Sequence, residues 1–104
     1  MVIKLYQENT LYDIYQTIIG FGSYIRIQYL SNQVSMELDF GDCYEVDFQE
    51  HYGNDELTIN SKDSSTIIAI TKYDKINIIE YNDAYMIYEI KIHKDTYLII
   101  TIEL

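Results

Sequence analysis

The sequence predicts an α+β domain, with one N-terminal helix packed on a twisted antiparallel sheet of about six to seven strands. Three observations carry that expectation. One stretch near the N-terminus spaces its apolar residues with helical period, and nearly everything beyond residue 21 alternates apolar and polar residues with period two. The turn signals between the alternating runs are also short, so successive strands should run antiparallel, as a meander. With 104 residues, 48% of them apolar, the chain forms one domain (1–104) that can bury a core without disulfides.

The elements follow in order. MVIKLY (1–6) reads as a short strand. NTLYDIYQTIIG places Leu11, Ile14, Tyr15, Ile18 and Ile19 at i, i+3, i+4, i+7 and i+8, a single apolar stripe that predicts a helix over 10–19. Asn9 or Thr10 can cap its start, Asp13 faces the positive end of its dipole, and Gly20 stands where a left-handed stop is expected.

SYIRIQYL (23–30) and QVSMELDF (33–40) read as a hairpin, pairing Tyr29 with Val34, Ile27 with Met36 and Ile25 with Leu38. CYEVDF (43–48) continues the alternation, and QEHYGNDE (49–56) reads as a polar loop. After a short strand at 56–60 and a turn at 61–65, TIIAITK, KINIIEYN, AYMIYEIKIH and TYLIITIEL make four more strands. In the last pair, Ile92 should oppose Leu98, Ile90 should oppose Ile100, and Tyr88 should oppose Ile102. The one-sided alternation needs a cover, which the helix supplies, and the sheet is long enough to curl into a partial barrel.

Net charge is −10, and its placement is uneven. Residues 37–56 hold Glu37, Asp39, Asp42, Glu45, Asp47, Glu50, Asp55 and Glu56 with no Lys or Arg, whereas the other segments mix signs. Such a field repels nucleic acid and anionic membranes and attracts basic surfaces. Direct nucleic-acid and membrane binding are therefore not expected. A single cysteine, no apolar run of membrane-spanning length and no signal-peptide pattern at the N-terminus lead us to expect a cytoplasmic protein.

The segment MELDFGDCYEVDF sharpens the question. Folded as a hairpin through 41–43, it sets Phe40 against Tyr44, Leu38 against Val46 and Met36 against Phe48 on the core side. On the other side Asp39 then opposes Glu45, and Glu37 opposes Asp47. Directly opposed like charges cost up to about 1 kcal/mol per pair. Carboxylates on solvent faces also blunt edge-to-edge pairing, which is a purely structural use. The missing lysines favour a partner that supplies the cations, and these eight acids are the expected partner-binding residues.

Other chemistries find less support. Carboxylates hold calcium or magnesium when several oxygens converge in one loop, and no D-x-[DN]-x-[DN]-G run occurs. Cys43 and His51, beside Asp42 and Glu50, could contribute to a zinc site with His93, but no C-x-x-C or H-x-x-x-H spacing accompanies them. Serines 61, 64 and 65 lie in a turn without a glycine elbow, and Gly20-Phe21-Gly22 falls short of a phosphate cradle. No catalytic residue, enzyme activity or cofactor is expected.

In composition and charge placement the whole chain resembles phage-encoded acidic inhibitors of bacterial defence and repair enzymes. These include anti-CRISPR proteins, restriction-blocking DNA mimics and uracil-DNA glycosylase inhibitors. The resemblance implies a small inhibitor that binds the basic nucleic-acid-binding surface of a partner, such as an RNA-guided nuclease, and it assigns no individual residue. Immunity proteins that neutralise basic nuclease toxins share the profile and are the alternative, as is a small zinc- or calcium-binding domain.

Overall fold

The apolar stripe forms the helix α1, Leu11–Phe21, in a computed structural model that describes residues 10–51, 54–62, 65–71, 75–93 and 95–104. The strand expected at MVIKLY lies outside the described residues. Thr10 is the N-cap, and it forms a reciprocal box with Asp13. The Thr10 hydroxyl accepts from the Asp13 N–H at 3.2 Å, and the Asp13 carboxylate accepts from the Thr10 N–H at 2.7 Å. Leu11, Ile14 and Ile18 are buried. Ile19, expected on the same stripe, is 53% exposed, because one residue turns about 100° round the helix and carries it past the packed sector. The stop also differs from expectation. Gly20 continues the helix, and Gly22 caps it in extended backbone, donating to the Ile18 carbonyl at 3.0 Å.

Among the described residues eight strands follow: β1 (Tyr24–Leu30), β2 (Ser35–Gly41), β3 (Tyr44–His51), β4 (Asn54–Ser61), β5 (Ser65–Thr71), β6 (Lys75–Tyr81), β7 (Tyr85–His93) and β8 (Thr96–Glu103). All pair antiparallel, so the α+β class holds, but the strands divide between two sheets. A five-stranded sheet has the order β2-β1-β8-β7-β6, and a three-stranded sheet has the order β3-β4-β5. Neither closes into a barrel. The expected loop at 49–56 is mostly strand, since β3 and β4 run on to Glu50 opposite Asp55 and His51 opposite Asn54. Apolar alternation fades there although backbone pairing continues.

Both hairpin registers are displaced by two residues from the sequence expectation. Tyr29 pairs with Met36 and Ile27 with Leu38, while Ile90 pairs with Leu98 and Tyr88 with Ile100. A shift of two keeps every side chain on its face, so hydrophobic pattern alone cannot distinguish the two alignments. The turns decide. At 31–34 the Ser31 hydroxyl accepts from the Val34 N–H at 3.0 Å, and the Ser31 N–H donates to the Val34 carbonyl at 2.9 Å. At the other hairpin, an irregularity between Lys91 and His93 takes up one residue.

Both sheets and the helix feed one core. Ile14 and Ile18 of α1 join Ile25 of β1, Leu57 and Ile59 of β4, and Ile100 of β8 in a single buried cluster. Polar contacts anchor the helix on either side. The Thr17 hydroxyl donates to the Asp13 carbonyl at 3.0 Å and lies 2.8 Å from the buried Tyr88 hydroxyl, with which it shares a hydrogen bond. Burial pushes the Tyr88 phenol up from its ordinary pKa. On the other flank, the rings of Tyr12 and Tyr15 pack on Phe48 of β3, with centroids 5.2 and 5.8 Å away. Among the described residues no helix is long and apolar enough to cross a membrane.

Candidate functional site

The acidic segment does not fold back on itself. β2 pairs with β1 and β3 with β4, in different sheets, so the expected oppositions of Asp39 with Glu45 and Glu37 with Asp47 do not form. The two strands diverge at a corner, residues 41–43, instead of making a hairpin. Gly41 takes a φ of 67°, the left-handed region that side-chain-bearing residues avoid. Its N–H donates to the Asp39 carboxylate at 2.9 Å. Just before the corner the register slips, with Ile25 opposite Gly41 and Arg26 opposite Asp39, and Phe40 between them is buried.

On β2 the carboxylates have partners within the chain. Glu37 lies opposite Gln28 and forms an ion pair with the Arg26 Nε at 3.1 Å. Asp39 accepts from the Tyr24 hydroxyl at 2.6 Å, and the Arg26 guanidinium lies 5.8 Å from the centre of the Tyr24 ring. The bond from Tyr24, with help from the Gly41 N–H and the Arg26 charge, holds the Asp39 carboxyl below its ordinary value. The same bond raises the Tyr24 phenol. Met36, expected on the core side, is 56% exposed near the turn end of the β1–β2 hairpin.

This network gives a test with a definite sign. A carboxylate whose folded pKa is depressed stabilises the fold above its unfolded value near 3.8, and that contribution is lost as pH falls through the folded pKa. In Tyr24→Phe the Asp39 pKa should rise toward its ordinary value, read by NMR titration of the carboxyl carbon. An unchanged Asp39 titration would show that the Tyr24 bond is not what holds it down.

The second sheet is where charge goes unbalanced. Its three strands contain Glu45, Asp47, Glu50, Asp55 and Glu56 and no Lys or Arg. Glu45 faces Asn60, Asp47 faces Thr58, and Glu56 faces Gln49. These residues alternate with Val46, Phe48, Leu57 and Ile59, which pack toward the core, so the three carboxylates share the outer side. Glu45 and Asp47 are exposed, and Glu56 is half-buried.

The remaining acids lie elsewhere. Glu50 faces Asp55 on the inner side, at the far end of the sheet, beside Thr10, Tyr12 and Phe48. Thr10 caps α1 there, so the positive end of the helix dipole offsets part of this like-charge pair. Asp42 is exposed at the corner, in a depression shared with Asp39, Cys43, Ser61 and Lys62. The eight expected residues therefore form separate groups: the β2 pair, the outer face of β3 and β4, the inner pair, and Asp42 at the corner.

The zinc ligand set fares worse. Cys43 precedes β3 and His51 ends it. Eight residues of extended strand put them on the order of 25 Å apart, too far to share an ion. His93 ends β7, in the other sheet. Among the described residues no three His, Cys, Asp or Glu side chains converge as a metal site would require.

Sequence reasoning missed the engagement of Glu37 and Asp39 by Arg26 and Tyr24. The signal was present, since Tyr24 and Arg26 fall on the polar face of the 23–30 alternation. Comparison with family models, with curated proteins and with solved structures finds no match to this chain.

Proposed function

We propose that this protein is a small stoichiometric inhibitor whose acidic outer face occupies the basic, nucleic-acid-binding surface of a partner enzyme, such as an RNA-guided nuclease. The observation that carries the reading is the three-stranded sheet with five carboxylates and no cation. Glu45, Asp47 and Glu56 stand on one face of it, the first two about 6.7 Å apart along β3 and Glu56 on the neighbouring β4. Complementary Lys and Arg on a partner would relieve their mutual repulsion, speed encounter and fix orientation. The same field disfavours nucleic acid itself as the ligand.

The test uses the variant Glu45→Gln, Asp47→Asn, Glu56→Gln, assayed beside the parent for inhibition of an RNA-guided nuclease over a salt series. The parent should inhibit less as salt rises, since screening shortens to about 8 Å at physiological ionic strength. The variant should be weaker by about tenfold or more at low salt and nearly insensitive to added salt. Equal inhibition by both proteins at every salt concentration would reduce the acidic face to a solvated surface and end this reading.

A further inference from the structure

No further inference is drawn: the strongest candidate, the apolar patch of Tyr29, Val34 and Met36 exposed at the turn end of the β1–β2 hairpin, has nothing in the structure to show what covers it.

Discussion

Ile14→Asp is expected to abolish cooperative unfolding. Ile14 is fully buried between α1 and the strands it covers, at 0% exposure; among the described residues no charged side chain is buried, and the buried Tyr88 hydroxyl is already engaged with Thr17. A buried charge without a partner costs more than a small domain's whole margin of roughly 5–15 kcal/mol can readily absorb. Two comparisons separate charge from bulk. Ile14→Ala should lose about 2–5 kcal/mol, the usual cost of a core cavity. Ile19→Asp, on the same helix but outside the packed sector, should stay within about 0.5 kcal/mol of the parent. Chemical denaturation reads all three, and equal effects at positions 14 and 19 would mean that the helix does not cover the core as described.

The two glycines flanking Phe21 should respond in opposite directions to the same substitution. At Gly22 an added Cβ would stand 2.9 Å from the Ile18 carbonyl oxygen, 3.1 Å from the Ile18 Cα and 3.0 Å from the Tyr44 hydroxyl. Two of those atoms are backbone and cannot swing aside. The Tyr44 hydroxyl is itself tied to the Gly22 carbonyl at 2.9 Å, the bond that fastens the helix end to β3. Gly22→Ala should therefore cost about 1–3 kcal/mol, as overpacking does. At Gly20 nothing lies within 4 Å of the added atom, and the residue is helical. Gly20→Ala should stabilise by about 0.5–1 kcal/mol through the entropy of the unfolded chain. Denaturation midpoints at constant m-value provide the measurement. A Gly22→Ala variant as stable as the parent would show that the helix end does not seat against β3.

Local order was legible in the residues because it depends on neighbours in sequence. Leu11, Ile14 and Ile18 share a helix face wherever that helix packs, and Thr10 with Asp13 caps it from three residues away. The alternation of MELDF and YEVDF likewise fixed which side chains lie together on a strand. It carried no information on which strand lies next door. Register was legible only to within two residues, because side chains repeat with that period and the turn at 31–34 and the irregularity between Lys91 and His93 choose between alignments.

The acidic segment shows the limit most clearly. Read along the chain, 36–48 is a good hairpin, with apolar residues facing apolar ones across Gly41. Tertiary structure instead gave β2 a better neighbour in β1, where Arg26 and Tyr24 meet Glu37 and Asp39, and gave β3 a neutral one in β4. Opposed carboxylates make a poor ladder, while Arg26 against Asp39 and Asn60 against Glu45 do not repel. The sequence by itself determined that the charge is concentrated in residues 37–56. Only the fold decided that part of it is neutralised within the chain and that Glu45, Asp47 and Glu56 remain together on one outer face, because strand pairing is settled by contacts between residues far apart in sequence.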